Sequence, residues 1–91
     1  MRLSVIIPVF NELATIEQVL ARVRAVPLAK QIILVDDGSS DGTRKILDGE
    51  RAAIDTTVVF HAANQGKGAA IRTGLRYVAG EFVIIQDADL E

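Results

Sequence analysis

The stretch that decides the fold is residues 31–42, Gln-Ile-Ile-Leu-Val-Asp-Asp-Gly-Ser-Ser-Asp-Gly. Five residues, Gln31 to Val35, form a short and mainly apolar run, and residues that favour turns follow at once. Similar runs, rich in Val and Ile, stand at Leu3 to Val9, Thr56 to Phe60 and Phe82 to Ile85. Runs of this kind are typical of strands that are buried on both faces. The pattern therefore predicts four strands.

Helical spacing fills the three intervals between these runs. The predicted apolar stripes are Ile16, Val19, Leu20 and Val23; then Ile46, Leu47 and Ile54; then Ile71, Leu75 and Val78. Pro27 follows the first helix and Gly80 is the expected stop of the third. The second helix is expected to begin near Ser40 or Asp41, since both residue types are good caps, although Gly49 weakens its middle.

This order, β-α-β-α-β-α-β, favours parallel strands joined by right-handed crossovers, with helices on both faces of the sheet. The sequence thus predicts one doubly wound, Rossmann-like α/β domain over residues 1–91. An unprotected edge strand rich in Val and Ile is prone to aggregation. We therefore expect the chain to be the N-terminal part of a larger protein or, as the alternative, to pair strands in a homo-oligomer.

Composition excludes several classes of protein. The chain has 91 residues and no Cys, so disulfides, Cys-ligated metal centres and a catalytic thiol are ruled out. Ten basic residues stand against twelve acidic ones, which argues against a nucleic-acid partner. The longest apolar run is far shorter than the ~20 residues of a spanning helix, and a cytoplasmic location is expected.

Most acidic residues gather in the loops that follow the predicted strands, namely residues 10–12, 36–42 and 87–91. The loop at 61–68 completes the set, and its His61 is given no role. In open α/β sheets, ligands bind beyond the carboxyl ends of the strands. Carboxylates that repel one another at one edge need a cation or a hydrogen-bonding ligand, so these loops are the candidate site.

Asp87-Ala88-Asp89 is the sharpest local signal. Residues two apart in an extended chain point the same way, so both carboxylates can face one point. Oxygen ligands in an open site suit Mg²⁺ or Mn²⁺, with phosphate oxygens completing the coordination. A capping Asp beside a solvated one is the commoner meaning of a bare Asp-x-Asp, but the position after a strand favours a metal.

Asp36 and Asp37 follow the second strand, and only one of them can point into the cleft. That carboxylate could accept a hydrogen bond from a base N–H or a ribose hydroxyl, while the other forms an Asx-turn in a stretch dense in turn formers. Residues 64–68, Asn-Gln-Gly-Lys-Gly, open a helix and could hold an anion with Lys67 and with Arg72 one turn on. A helix start with a surface lysine is an equal contender.

Together these loops resemble the nucleotide-binding half of inverting family 2 glycosyltransferases of the GT-A fold. The most similar branch is the dolichyl- or polyprenyl-phosphate mannose and glucose synthases. The matching motifs are residues 5–12, 35–43, 64–68 and 87–91, which cover essentially the whole chain.

The resemblance implies a role for each matching residue. The implied nucleoside pocket is lined by Pro8, Phe10 and Glu12, with Val35 and Asp37 on the base, and Asn11 is also expected to bind substrate. Asp87 and Asp89 would hold the metal and the diphosphate, Glu91 would reach the metal, and Ala88 would lie near the ribose. Asp89 would serve catalysis through the metal. Phe10 replaces the usual Tyr, which keeps base stacking but loses a hydroxyl contact. Glu91 replaces a common Gln and adds a negative charge.

The implied activity is inverting transfer of a hexose from GDP-mannose or UDP-glucose, with Mg²⁺ or Mn²⁺, to a polyprenyl phosphate or a glycan. In the family the acceptor site and any general base come after the carboxylate motif, and membrane association can arise there or through the lipid. Two alternatives stay open. One is a non-catalytic or inactive nucleotide-binding module of the same fold. The other is a receiver-like signalling domain, in which an acidic pair would be expected after the first strand, where residues 10–12 stand.

Overall fold

A computed structural model of the protein describes residues 2–89. Four strands alternate with three helices, which confirms the predicted order. The elements are β1 (Leu3–Val9), α1 (Ile16–Ala25), β2 (Lys30–Asp36), α2 (Thr43–Gly49), a 3₁₀ turn (Glu50–Ala52), β3 (Thr56–Phe60), α3 (Lys67–Leu75) and β4 (Phe82–Ile85). Within residues 2–89, no helix has the length and apolar character needed to cross a bilayer.

All strand pairs in the sheet are parallel, and the strand order is β3-β2-β1-β4. In register, Val5 of β1 lies between Ile32 of β2 and Ile84 of β4. The chain order reverses next to β1, because β2 and β3 lie on one side of it and β4 on the other. Parallel α/β sheets bind ligands at such a switch point, beyond the carboxyl ends of the strands.

Helices cover both faces of the sheet, as the doubly wound prediction requires. On one face α1 and α2 pack over inward residues of β1 and β2, in a core of Val5, Ile7, Val9, Ile16, Leu20, Ile32, Leu34, Leu47 and Ala88. On the other face α3 packs over a second core of Ile6, Ile33, Val35 and Ala70, with Val78 against it. The predicted stripe of α1 is confirmed, since Ile16, Val19 and Leu20 are buried.

Burial of all four strands on both faces was expected, and this is right for β1 and β2 only. The residues of β3 are half-buried, and all four residues of β4 are exposed. Both strands lie at edges of the sheet, where each has a single neighbour. An apolar run therefore predicts a strand here, but its position in the sheet decides how deeply it is buried.

The second helix is shorter than expected. It ends at Gly49, a 3₁₀ turn follows, and Ile54 is 89% exposed instead of extending the stripe. The backbone at Gly42 has φ +98°, which keeps the helix from starting at Ser40 or Asp41. Asp41 still supplies the capping chemistry, because its Oδ1 accepts the Thr43 N–H at 3.0 Å.

The stripe predicted for α3 is right only in part, since Val78 packs against the core and Ile71 is half-buried, but Leu75 is not buried. Leu75 is half exposed, and the buried positions of this helix are Ala70 and Gly74. A Cβ on Gly74 would lie 2.7 Å from Cγ2 of Ile6, so small residues let α3 approach β1 closely. The helix ends at Leu75, and Val78 reaches the core from the turn that follows.

A buried polar network holds the turn between α3 and β4, at the end of the sheet opposite the carboxyl ends of the strands. The Ser4 hydroxyl donates to Gln31 Oε1 at 2.8 Å and accepts the Gly80 N–H at 2.9 Å. Gln31 Nε2 donates to the Tyr77 carbonyl at 2.7 Å, and its Oε1 also accepts the Ala79 N–H. These bonds satisfy the Tyr77 carbonyl and the Ala79 and Gly80 N–H groups, which lie just beyond the end of α3.

Two loops touch at Gly38, just beyond the carboxyl end of β2. Gly38 has φ +81°, and a Cβ there would lie 2.6 Å from the Asn64 nitrogen and 2.8 Å from the Ala63 carbonyl carbon. Both neighbours are backbone atoms, which cannot move aside as a side chain can. The absence of a side chain at Gly38 therefore lets the β2–α2 loop and the β3–α3 loop close against each other.

Gly38→Ala should lower the free energy of unfolding by at least about 2 kcal/mol. The alanine would have to adopt a left-handed backbone conformation, and its Cβ would overlap backbone atoms of the β3–α3 loop. Gly49→Ala is the matched control, since nothing lies within 4 Å of a Cβ at that helical position. The control should be neutral or more stable by up to about 1 kcal/mol. Urea unfolding measures both variants, and an unchanged midpoint for Gly38→Ala would contradict the packing described here.

Candidate nucleotide-binding site

The loops after β1, β2, β3 and β4 converge on one groove of about 290 Å³. Its lining residues are Pro8, Val9, Phe10, Glu12, Asp37, Asn64, Gly66, Lys67, Ala70, Asp87, Ala88 and Asp89. A second, more apolar cavity of about 390 Å³ lies between α1, β1 and β4, and its rim shares only Asp89 with the groove. The predicted site residues gather in the smaller, more polar groove, so chemistry rather than size identifies it.

Eight of the twelve predicted site residues line this groove, three do not, and the twelfth, Glu91, lies outside the described residues. The eight are Pro8, Phe10, Glu12, Asp37, Lys67, Asp87, Ala88 and Asp89. Val35 is fully buried in the core under α3, so it does not line the groove. Arg72 is exposed on α3, where its guanidinium lies beside Gly68. Asn11 faces the neighbouring loop.

Asp37 is the central group of the groove wall, and it is 3% exposed. Its Oδ1 accepts hydrogen bonds from His61 Nδ1 at 2.9 Å and from the backbone N–H of Gln65 at 2.9 Å. Its Oδ2 accepts the Gly66 N–H at 2.8 Å and Asn64 Nδ2 at 3.1 Å. A carboxylate has about four acceptor positions, and in Asp37 all of them are occupied by donors from the β3–α3 loop.

Burial by itself would raise the pKa of the Asp37 carboxyl. The hydrogen bonds from His61, Gln65 and Gly66, together with the charge of His61 when protonated, outweigh burial and hold that pKa below its ordinary value. Asp37 is therefore ionised at neutral pH, and its charge is compensated inside the chain.

The other residues of the β2–α2 loop hold the turn, which agrees with the predicted division of roles between Asp36 and Asp37. Asp36 is fully buried and its Oδ2 accepts the Ser39 N–H at 3.0 Å, an Asx-turn. Asn11, at φ +51°, binds the same loop: its N–H donates to Ser39 Oγ and its Oδ1 accepts the Ser40 N–H, both at 2.8 Å. The side chain of Asn11 thus joins the β1–α1 and β2–α2 loops.

Thr15 fixes the acidic loop after β4 to the start of α1. Its hydroxyl donates to the Ala88 carbonyl at 2.8 Å, and Ala88 is buried between the flanking aspartates. Glu12, whose carbonyl accepts the Ile16 N–H at 2.9 Å, lines the groove from the same loop. This tether joins the loop that carries Asp87 and Asp89 to α1, and both aspartates line the same groove as Asp37.

Lys67 begins α3 and forms an ion pair with Asp87 across the groove. The lining holds four carboxylates and this one lysine, an excess of three negative charges when all are ionised. Within residues 2–89, no three acidic or histidine side chains converge as a complete metal site. A divalent ion held here would need one or two carboxylates from the chain and other oxygens from its ligand, as Mg²⁺ commonly does with phosphates.

The sequence assigned no role to His61, but in the structure His61 contacts Asp37 in the wall of this groove. It is 8% exposed, with Nδ1 on Asp37 and Nε2 2.8 Å from the Thr73 hydroxyl. Asp36 pairs with Phe60 in the β2–β3 register, so Asp37 and His61, the next residues along, lie side by side. Assigning β2 and β3 as neighbours would have identified this contact.

The fold and the site together define an α/β domain with a nucleotide-type groove at the carboxyl edge of its sheet. Residues 4–91 match the model of glycosyl transferase family 2, and the chain belongs to that family. This confirms the resemblance and argues against the receiver-like alternative. A curated relative from Pseudomonas aeruginosa, undecaprenyl-phosphate 4-deoxy-4-formamido-L-arabinose transferase, is 40% identical over 97% of this chain. The chain spans 28% of that relative's length.

Solved structures agree with this assignment and with the GT-A fold. S. aureus TarS in complex with UDP-GlcNAc is 29% identical, with a TM-score of 0.87 over 98% of this chain and 27% of its own. The Pyrobaculum calidifontis mannosyltransferase PcManGT, in complex with GDP-Man and Mn²⁺, is 32% identical, with a TM-score of 0.86 over 96% of this chain and 27% of its own.

Asp37→Asn should lower the free energy of unfolding by at least about 2 kcal/mol at pH 7, because charged hydrogen bonds are lost in a buried place. A depressed carboxyl pKa contributes stability that is present above the unfolded value, near 3.8, and is lost as pH falls through the folded pKa. Between pH 5 and pH 2 the wild type should therefore lose more stability than Asp37→Asn. Urea titrations across that range measure the difference.

Asp48→Asn is the charge-matched control, because Asp48 is exposed on α2 and pairs only at the surface with Arg51. It should keep the pH dependence of the wild type. Identical pH slopes for the wild type and Asp37→Asn would contradict the role given to Asp37.

Proposed function

We propose that this groove binds the nucleoside diphosphate of a nucleotide-sugar donor, and that the protein transfers a hexose, mannose or glucose, to a polyprenyl phosphate. The observation that carries the proposal is the convergence of Pro8 and Phe10 with Asp87, Asp89 and Lys67 on one groove. The undecaprenyl-phosphate transferase relative and the GDP-Man and UDP-GlcNAc complexes of similar structures support it.

The nucleoside end of the ligand is assigned to the β1 side of the groove. Phe10 is 46% exposed beside Pro8, so its ring is free to stack on a base. Each carboxylate oxygen of Asp37 already accepts two hydrogen bonds, so a base N–H that binds Asp37 must replace one of the four donors. Glu12 lines the groove on the same side, and its carboxylate is the group we assign to a ribose hydroxyl.

The diphosphate end is assigned to Asp87, Asp89 and Lys67. A diphosphate brought into a groove with three excess negative charges would be repelled, so its binding requires a cation. The donor set fits Mg²⁺ or Mn²⁺, because Asp87 and Asp89 offer hard oxygen ligands on an open rim. Such an ion, when bound, would neutralise the charge that develops on the leaving diphosphate.

Lys67 contributes a second positive charge at the same place. Its ammonium is already paired with Asp87 on the groove, and Lys67 is the first residue of α3, where the helix dipole favours an anion. Attack by an acceptor phosphate oxygen on the anomeric carbon, opposite the diphosphate, breaks the bond between sugar and diphosphate and inverts the carbon. A phosphate acceptor is already a nucleophile and needs no general base.

Binding of UDP and GDP should depend on the metal. Isothermal titration calorimetry in Mn²⁺ should give a measurable affinity for at least one of the two nucleotides, and excess EDTA should abolish it. Nucleotide binding of equal strength with and without Mn²⁺ would refute the charge argument.

Asp89→Asn should weaken Mn²⁺-dependent nucleotide binding by about tenfold or more, because one ligand charge is removed from the rim. Asp48→Asn, which removes the same charge from the exposed face of α2, should leave the affinity within about twofold. Equal affinities for Asp89→Asn and the wild type would disprove the metal assignment.

Turnover separates an enzyme from a nucleotide-binding module of the same fold. Incubation with UDP-glucose or GDP-mannose, Mn²⁺ and undecaprenyl phosphate should form a lipid-linked hexose and release the nucleoside diphosphate. Because the family's acceptor site comes after the carboxylate motif, the assay needs a protein that extends past Glu91. In that protein, nucleotide binding without transfer to this lipid would leave the donor site in place and refute the acceptor.

A further inference from the structure

His61 directly follows β3 and lies between Asp37, just after β2, and Thr73 on α3. Its ring is almost fully buried, with Nδ1 2.9 Å from Asp37 Oδ1 and Nε2 2.8 Å from the Thr73 hydroxyl on α3. The ring lines no part of the groove itself. It therefore contacts the structure behind the groove wall and not the ligand space.

Charge fixes the direction of these hydrogen bonds. The Asp37 carboxylate is ionised and can only accept, so the proton of His61 is on Nδ1. In the neutral ring, Nε2 is then an acceptor and the Thr73 hydroxyl donates to it. The ring is thereby held at both ends, and it presents one fixed N–H to Asp37.

The same carboxylate holds the loop that opens α3. Gln65 and Gly66 donate their backbone N–H groups to its two oxygens, and Asn64 adds its side-chain amide. Gly66 and Asn64 line the groove, and Lys67 follows directly. A rotation of the Asp37 carboxylate would break these bonds and free the loop that carries the lysine.

We propose that His61 is a positioning residue for donor binding: clamped by Thr73, it locks the Asp37 carboxylate in the orientation that preforms the loop of residues 64–66 and the Lys67 end of α3. This inference rests on the proposed function for its effect on nucleotide affinity, but not for its effect on the loop. It predicts that losing the imidazole N–H loosens the loop before it harms the rest of the fold.

Three variants of the protein test the proposal. His61→Leu keeps most of the volume and removes both hydrogen bonds, whereas His61→Asn keeps a donor at the position of Nδ1. Ser4→Ala is the matched control, because it removes a buried side chain that also makes two hydrogen bonds, at the far end of the sheet. Thermal unfolding confirms that each variant is folded, and Thr73→Val replaces His61→Leu should that variant fail to fold.

Amide hydrogen exchange measured by NMR reports on the loop without any ligand. The Gln65 and Gly66 amides should exchange at least about tenfold faster in His61→Leu, and within about threefold of the wild type in His61→Asn and Ser4→Ala. Unchanged exchange of both amides in His61→Leu, or in Thr73→Val where it takes its place, would overturn the proposal. Equal acceleration in Ser4→Ala would overturn it too, because the effect would then be general loosening.

Calorimetry with UDP or GDP and Mn²⁺ reports on the groove. His61→Leu should bind about tenfold more weakly and His61→Asn within about threefold of the wild type, and in turnover the donor KM should rise while kcat stays unchanged. Faster amide exchange with unchanged affinity would overturn the link to donor binding. A wild type that binds neither nucleotide would refute the proposed function instead, and the amide exchange would still decide whether His61 holds the loop.

Discussion

A buried carboxylate, that of Asp37, is the constraint on which the carboxyl edge of this sheet depends. An ionised group that is 3% exposed is tolerable only when hydrogen bonds replace its water. The chain supplies four donors, all from residues 61–66, and so ties the end of β2 to the β3–α3 loop. The position at which α3 begins is therefore set by the need to satisfy this one charge.

The remaining loops are joined to this centre in turn. Asn11 connects the β1–α1 loop to the β2–α2 loop, and Thr15 connects α1 to the carbonyl of Ala88. The β1–α1 loop, which carries Glu12, and the loop after β4, which carries Asp87 and Asp89, thus meet at the groove although their carboxylates repel one another. The resulting excess of negative charge is the reason for proposing that a cation accompanies the diphosphate, which links the architecture of the rim to the proposed chemistry.

Sequence reasoning captured what depends on local pattern and on the parallel order of strands. Apolar runs identified all four strands, and their carboxyl ends had to meet, which brought Asp37, Lys67 and Asp87 to one place. Alternation of side chains along a strand predicted that only one of Asp36 and Asp37 could point into the cleft, and the family resemblance indicated Asp37. The structure has Asp36 in the turn and Asp37 in the groove wall.

The sequence-based predictions that failed concern features that depend on packing distance and on strand order. The stripe of α3 was placed on large residues, but close approach to Ile6 selects Ala70 and Gly74 as the buried positions. Burial of β4 could not be read from its composition, because its place at the edge is a property of the whole sheet. The role of His61 needed the neighbour relation of β2 and β3, which no local pattern contains.

A crystal structure of the protein grown with Mn²⁺ and either UDP or GDP tests the central claim most directly. We expect an anomalous peak for manganese beside Asp87 and Asp89, the diphosphate between that ion and Lys67, and the base against Phe10, with residues 64–66 unmoved. A nucleotide bound outside this groove, or manganese bound away from both aspartates, would contradict the account.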